Sequence, residues 1–386
     1  MKRSVTNHLA CVLALFGGVA CGGDDGGGSD SQNQTNHDGG ADETRNDAPT
    51  CGDGVVQEHE ACDGTDLGGA TCLTIPGRYT GGVLGCTPSC AFDASGCTAA
   101  TGQVQVVLFT HIEDNQPAGP LGSPENRQAY LALRGRLIAM AEAAHDNGVT
   151  WSLQPDWTLL EAARLYEDAT VTASSGGKNL FVYLRDNLGA VLDPHSHEQG
   201  GYNYTDVAYL LDLLGVGGST VIGGHIWDPS LPQFQHWDRF REPVPGLHYP
   251  EALWRGDILI GAGTPNHVND PLVSGLWRPR DRDYFFEDDP AANIVAVGAW
   301  HHEVAGVTEL VDLYANKTVD PSCLLTASWN ITPGEIQAPG GIETIVQETL
   351  IPLVAMRDAG QVVLTDFTTL VSRWKAAGGE ACLHQP

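Results

Sequence analysis

The chain is poor in basic residues: it has 20 lysines and arginines against 48 aspartates and glutamates, a formal net charge of −28 over 386 residues. A protein that binds nucleic acid through its phosphates needs a basic surface, so this composition excludes that function. It also disfavours docking on anionic lipid by charge. The sequence lacks a Gly-rich phosphate-binding loop as well, which argues against a doubly wound nucleotide-binding fold.

The N-terminal apolar run, residues 9–19, is too short to span a membrane, and it follows Lys2 and Arg3 as in a secretory signal. Small residues directly before Cys21 resemble a bacterial lipobox. We interpret residues 1–21 as a signal peptide with lipobox and Cys21 as the lipidated first residue of the mature protein. We therefore expect an exported outer-membrane or cell-surface lipoprotein that touches the membrane only through its lipid anchor. The alternative is cleavage near Ala20 and release as a secreted or periplasmic protein.

Residues 22–50 almost lack large apolar side chains and are rich in Gly, Asp, Asn and Ser. Such a segment buries too little surface to offset its ordering entropy, so we predict a disordered tether.

Residues 51–98 also have few apolar side chains, but they contain six cysteines: Cys51, Cys62, Cys72, Cys86, Cys90 and Cys97. In an exported chain this pattern predicts a small disulfide-rich module, whose fifteen alternative pairings stay open. A zinc site is less favoured, because the close pair Cys86 and Cys90 has no second close pair to match it. Residues 51–54, 60–63 and 90–97 resemble a cysteine-rich repeat of secreted and surface bacterial proteins, which implies a spacer or adhesion element.

From residue 101 to 386, apolar runs rich in β-branched residues alternate with segments of helical period. The predicted strands are residues 104–109, 149–153, 190–192, 219–223, 257–261, 294–298, 324–328 and 361–364. The predicted helices include residues 127–147, 181–188, 205–214 and 342–359. This alternation predicts an α/β fold with a parallel sheet, and its length suits a (β/α) barrel, distorted or seven-stranded. An open doubly wound sheet is the alternative.

Polar and aromatic residues follow these strands where a barrel places its active site. The strand at 104 leads to His111, Glu113 and Asp114, and the strand at 190 leads to His195, His197 and Glu198. The residues that follow the other strands are Trp157, His225, Trp227, Trp300, His301, His302 and Trp329. We expect the carboxylates and imidazoles among them to form one functional site, with His111, His225 and Glu198 as additional members.

This set of residues suits metal-dependent hydrolysis. One carboxylate and two imidazoles can hold a divalent ion, zinc being favoured, while a second carboxylate acts as base and another histidine as acid. The four tryptophans Trp157, Trp227, Trp300 and Trp329 are candidate stacking platforms for sugar rings, although each could equally be a core residue.

The acidic pair after the first strand, the histidine pair after the third and a late helix–strand–helix over residues 350–370 together resemble the glycoside hydrolase/deacetylase superfamily, and within it the polysaccharide deacetylase (NodB-type) family. The resemblance implies that Asp114 is a metal ligand beside His195 and His197, that Glu113 is the base, and that His301 or His302 is the acid. The family usually has two aspartates where this chain has Glu113 and Asp114, and it spaces its histidines about four apart rather than two.

We therefore expect a monomeric hydrolase that deacetylates N- or O-acylated sugars of a polysaccharide or cell-wall glycan. One alternative is a glycoside hydrolase on a related barrel, with paired carboxylates among Glu113, Asp114 and Glu303. Another is a non-catalytic carbohydrate-binding surface protein. Cys323 and Cys382, the only cysteines of the large domain, are expected to form a disulfide that ties down the C-terminal tail.

Overall fold

The computed structural model of the protein describes residues 51–386 except 58–59, 73, 76–78, 100–101, 225–235 and 261–271. The predicted signal peptide with Cys21, the predicted tether and the site candidates His225 and Trp227 lie outside the described residues. Among the residues that are described, no helix combines the length and hydrophobicity needed to span a bilayer.

The cysteine-rich module is held together mainly by covalent links. Its four short strands are β1 (Tyr79–Gly82), β2 (Gly85–Cys86), β3 (Phe92–Asp93) and β4 (Cys97–Ala99), paired as β1 with β4 and β2 with β3. The six cysteines form three disulfides: Cys51–Cys90, Cys62–Cys86 and Cys72–Cys97. The predicted disulfide framework is thereby confirmed. A module with so small an apolar cluster depends on such bonds for its stability.

The large α/β region contains the remaining elements. Its strands are β5 (Val104–Ile112), β6 (Trp151–Pro155), β7 (Val191–Leu192), β8 (Val221–Ile222), β9 (Val244–Pro245), β10 (Leu253–Trp254), β11 (Ile258–Ile260), β12 (Ser274–Trp277), β13 (Val295–Val297), β14 (Thr326–Asn330), β15 (Val362–Thr365) and β16 (Cys382–His384). Its helices are α1 (Pro124–Asp146), α2 (Trp157–Tyr166), α3 (Ala169–Thr172), α4 (Leu180–Leu188), α5 (Tyr204–Leu213), α6 (Val304–Ala315), α7 (Pro333–Gln337), α8 (Gly341–Ile345), α9 (Ile351–Asp358) and α10 (Phe367–Ala376).

Every predicted strand coincides with an observed one, with ends shifted by a few residues. The long helix predicted over residues 342–359 is present as α8 and α9, joined by a π-helical turn at Val346–Leu350. Pro352 lies two residues after the end of that turn and cannot donate a backbone hydrogen bond to it, which accounts for the local irregularity.

Two five-stranded sheets form a curled, mainly parallel wall. In the first, β14, β5, β6 and β7 are neighbours and β15 also pairs with β5, all in parallel. In the second, β8, β11 and β13 are parallel, and β12 and β16 add to them antiparallel. A single parallel bridge between His195 and Gly223 connects the two sheets at one side.

At the other side of the wall, β14 and β12 are joined by side-chain hydrogen bonds instead of a backbone ladder. The hydroxyl of Thr326 in β14 donates to the carbonyl of Gly298 at 2.7 Å and accepts from the N–H of Gly275 in β12 at 2.8 Å. The α/β class and the parallel sheet are as predicted. Because backbone ladders do not close the wall among the described residues, a complete barrel stays a prediction.

Strand β5 shows how the sequence positions the site. Its alternate residues Val106 and Leu108 belong to the large core under the helices, while Val107 and Phe109 belong to a second core inside the curled wall. Helix α10 fills that inner core from one end, and its Phe367 contacts Phe109. Because side chains on a strand alternate between faces, the next residue on the inner face is His111, and Glu113 follows it.

The predicted disulfide between Cys323 and Cys382 is also confirmed. It joins the residues before β14 to the antiparallel strand β16, 59 residues later. In the chain-entropy account, a loop of that length stabilises the folded state by about 4 kcal/mol.

A buried carboxylate anchors the segment that follows the 225–235 gap. Asp206 in the first turn of α5 accepts from the N–H of Asn203 at 2.8 Å, as part of a capping box. The same carboxylate accepts from the N–H groups of Leu247, His248 and Tyr249 at 2.9, 3.1 and 2.8 Å. Four backbone donors, one buried and three partly buried, therefore depend on one side chain.

We predict that Asp206→Ala destabilises the protein by at least about 3 kcal/mol, because it leaves these N–H groups without an acceptor. Chemical denaturation gives the free energy of unfolding, and hydrogen exchange at residues 247–249 reports the release of the segment. Asp146→Ala, at an exposed helix end, is the control. Equal stability of the two variants would contradict this role.

Candidate metal centre

The candidate site lies at the carboxyl end of β5, opposite the segment that continues β7. Glu113 comes from the first segment, and His195 and His197 come from the second. Since residues two apart on an extended chain point the same way, both imidazoles face the same side. The structure brings all three side chains together.

His195 is held in one tautomer by its backbone partner. Its Nδ1 lies 2.9 Å from the carbonyl oxygen of Gly223, an atom that only accepts hydrogen bonds. We infer that Nδ1 carries a proton, so that in the neutral form of the ring it is Nε2 that has the lone pair. That Nε2 lies 3.2 Å from Oε2 of Glu113, which is also an acceptor. Two acceptors at this distance need a proton or a cation between them.

His197 repeats this arrangement from the other side. Its Nε2 lies 2.9 Å from the same Oε2 of Glu113, and its backbone N–H donates to Asp156 at 3.1 Å. Burial lowers the pKa of His197, but the hydrogen bond and charge of Glu113 outweigh burial and leave that pKa above its ordinary value. Burial raises the pKa of Glu113, yet the two histidines outweigh it and hold that pKa well below its usual range. Glu113 is therefore an anion at the centre of the cluster.

His111 lies beneath this cluster and is only 5% exposed. Its ring stacks on that of His195, with centroids 4.2 Å apart. Burial, together with the neighbouring His195, lowers the pKa of His111 well below its ordinary value, so the ring is neutral. Its buried Nε2 has no hydrogen-bond partner among the described residues, and leaving such a group unpaired costs about 1–3 kcal/mol.

Two glycines at the end of β8 allow the imidazoles to come so close. A Cβ on Gly224 would lie 2.3 Å from Cε1 and Nδ1 of His195 and 3.3 Å from Cε1 of His111. A Cβ on Gly223 would lie 2.6 Å from the carbonyl oxygen of Pro194. Gly224 also has φ = +82°, a conformation that favours glycine.

The grouping of donors differs from the predicted ligand set of Asp114, His195 and His197. One donor atom each from His111, Glu113 and His195 lie within 4.8 Å of one another, whereas the predicted set does not meet that limit. Asp114 reaches His197 Nδ1 at 3.7 Å. Glu113, predicted as the base, occupies the central position. The roles of these residues stay predictions, but the geometry favours Glu113 over Asp114 as the carboxylate nearest a cation.

The other predicted site residues lie further out. Glu198 forms an ion pair with Arg239 from the segment after the gap. His301 is exposed and contacts the ring of Trp300. Within the described part of the chain, neither His301 nor His302 forms a hydrogen bond, ion pair or ring contact with the Glu113–His195 pair.

The predicted stacking tryptophans are mostly packed. Trp300 and Trp329 are 2% and 7% exposed and belong to the large core, so little of either ring is free for a sugar. Trp157 is partly exposed, but Tyr202 covers one of its faces at 4.5 Å between centroids. Apolar packing explains the positions of Trp300 and Trp329, while sugar stacking by Trp157 stays a prediction.

Two buried carboxylates near the site were not predicted. Asp156 accepts from the backbone N–H groups of Trp157 and His197, and burial raises its pKa to about 6. Asp193 accepts from the hydroxyl of Ser219 at 2.6 Å, and burial raises its pKa to about 6 as well. In the sequence, each of these aspartates comes shortly after a predicted strand, and this position could have identified them as candidates for the site.

A second group of close donors, Glu60, Asp63 and Cys90, lies in the cysteine-rich module. Cys90 is bonded to Cys51, so its sulfur is not a thiolate. This group therefore lacks the soft ligand that a zinc site would need there.

No protein-family model and no curated protein matches the chain. Among solved structures, it is similar to a 4-alpha-glucanotransferase from Thermococcus litoralis, with 11% identity and a TM-score of 0.40, over 70% of this chain and 40% of that one. It is also similar to an allantoinase, with 10% identity and a TM-score of 0.42, over 72% of this chain and 91% of that one. A third is a probable polysaccharide deacetylase from Pseudomonas aeruginosa, with 10% identity and a TM-score of 0.39, over 72% and 92%.

The third match bears the name of the family that the sequence resembles. Scores this low amount to a distant resemblance and carry no weight for the chemistry of this chain.

We predict that Gly224→Ala disrupts the imidazole cluster. The matched control is Gly177→Ala, because Gly177 has the same φ of +82° but has nothing within 4 Å of an added Cβ. The control should lose about 1–2 kcal/mol of stability through backbone strain alone. Gly224→Ala should lose clearly more and should shift the side-chain nitrogen resonances of His195 in long-range proton–nitrogen NMR spectra. Identical behaviour of the two variants would show that the close approach is unimportant.

Proposed function

We propose that this protein is an exported, metal-dependent hydrolase that acts on carbohydrate and removes acyl groups from N- or O-acylated sugars of a polysaccharide. One observation supports the metal above all. The Nε2 atoms of His195 and His197 both face one carboxylate oxygen of Glu113, while the Nδ1 of His195 is committed to a backbone carbonyl. Metal-binding histidines commonly donate their second nitrogen in this way.

A divalent ion, zinc being favoured, would be held by His195, His197 and Glu113, a combination of donors that catalytic zinc sites use. When bound, such an ion activates a water molecule and polarises the acyl carbonyl. The chain's own residues keep the site in order. Gly223 fixes the tautomer of His195, and Asp156 holds the backbone of His197.

Asp114 supplies a second carboxylate next to the first. It lies 3.7 Å from Nδ1 of His197, and its side chain is 19% exposed. It can therefore orient His197 or take up a proton at the mouth of the site. His301 and His302 remain the proposed candidates for the acid that protonates the leaving group.

The proposal that the substrate is a carbohydrate rests on the resemblance of the sequence to the polysaccharide deacetylase family. The same resemblance is the basis for proposing a complete barrel. Export is supported by the four disulfides, which are compatible with an oxidising compartment. Attachment through a lipid on Cys21 rests on the N-terminal sequence alone.

A glycoside hydrolase is the second candidate, because two carboxylates here have opposite pKa shifts. The pKa of Asp156 is raised to about 6, and that of Glu113 is lowered. Such a division is typical of an acid and its partner in glycosidases. However, both oxygens of Asp156 accept backbone N–H groups, which ties this carboxylate to the fold.

The test is metal content followed by product analysis. The full-length protein should bind about one zinc ion per chain. His195→Ala and Glu113→Gln should each abolish stoichiometric binding, whereas the exposed His145→Ala should leave it unchanged.

Acetylated glycans should then release acetate without new reducing ends, and this release should stop after chelation. Reducing sugar without acetate would favour the glycoside hydrolase. Stoichiometric metal in both site variants would refute the proposed centre, and glycan binding with neither product would indicate a non-catalytic surface protein.

A further inference from the structure

The buried ring of His111 has His195, Glu113, His197 and Gln154 as its polar neighbours. It lies on the inner face of β5, two residues before Glu113, and its ring stacks on His195. Buried histidines in a core normally have their nitrogens hydrogen-bonded. The Nε2 of His111 is buried without such a partner in the part of the chain that the structure describes.

The distances place His111 within reach of the same cation as its neighbours. A ring nitrogen of His111, a carboxylate oxygen of Glu113 and a ring nitrogen of His195 are at most 4.8 Å apart. Ligands of a tetrahedral zinc ion with bonds near 2.1 Å stand about 3.4 Å apart, so small side-chain rotations suffice. Gly224 keeps the edge of both rings free of a Cβ.

We propose that His111 is itself a metal ligand and that the metal centre is built on His111, Glu113 and His195 at its base, with His197 at its open side. The inference rests on the proposed function, since it concerns the same cation. It adds His111 to the proposed ligands His195, His197 and Glu113, and it leaves the carboxylate of Asp114 available to His197.

The test compares zinc affinities of the full-length protein and its variants by competition with a chromogenic chelator. Loss of a residue that only orients a ligand weakens metal binding by about 10–100-fold, so His111→Gln and His111→Ala should weaken it by more than about 100-fold. Asp114→Asn removes only a group beside His197 and should weaken binding by no more than about 10–100-fold. His145→Ala controls for unspecific binding by surface histidine.

A second readout separates a ligand from a packing residue. Zinc should raise the melting temperature of the wild type, and this increase should disappear in both His111 variants even if they are less stable without metal. If a His111 variant does not fold, zinc-edge X-ray absorption of the wild type can instead count the imidazole ligands of the bound zinc ion. Three imidazole ligands would support His111 as a ligand, and two would contradict it.

Unchanged affinity in His111→Gln together with lost binding in His195→Ala would overturn the role of His111 while leaving the hydrolase proposal intact. Failure of the wild type to bind zinc would instead refute the proposed function itself.

Discussion

The hydrogen bond from His195 Nδ1 to the carbonyl of Gly223 is the contact on which the account of this protein depends. It accompanies the bridge that connects the two sheets at the end of β7 and β8. Because it fixes Nδ1 as the donor, the neutral ring directs the lone pair of Nε2 at Glu113. The same contact therefore closes one seam of the curled wall and sets the chemistry of the site. Tyr204 donates to the same carbonyl, which strengthens this junction.

The charges around this junction favour a cation. Glu113 is ionised, while burial raises the pKa of Asp156 and of Asp193 to about 6. The buried His111 is neutral and contributes no compensating charge. The Glu113 carboxylate attracts a cation, and this attraction is stronger in a partly buried region because the low dielectric weakens screening. The imidazoles beside it supply the neutral nitrogen donors that a divalent ion such as zinc binds.

Much of the framework could be predicted from the sequence because it depends on local patterns. The β-branched run of β5 marked a buried strand, and the cysteine spacing of an otherwise core-poor segment marked a disulfide module. The convergence of Glu113 with His195 and His197 followed from the rule that parallel strands bring their carboxyl ends to one edge. These features need only periodicity, composition and topology.

The grouping of donors could not be predicted, because it depends on side-chain direction and on close backbone contacts. The choice between Glu113 and Asp114 is decided by which carboxylate continues the inner face of β5, and the chain leaves regular strand geometry just before them. The role of Gly224 requires knowing which rings pass next to it. Trp300 and Trp329 follow strands, as tryptophans that stack on sugars would, yet both rings are buried in the large core. Asp206 serves N–H groups 41 to 43 residues away, which no local pattern reveals.

Anomalous diffraction at the zinc absorption edge, on crystals of the full-length protein grown with zinc, would locate the proposed metal ion itself. One strong peak is expected within about 2.0–2.2 Å of Glu113 Oε2 and of Nε2 of His195. With zinc present, the absence of a peak there, or a peak bound only by surface residues, would contradict the proposed metal centre.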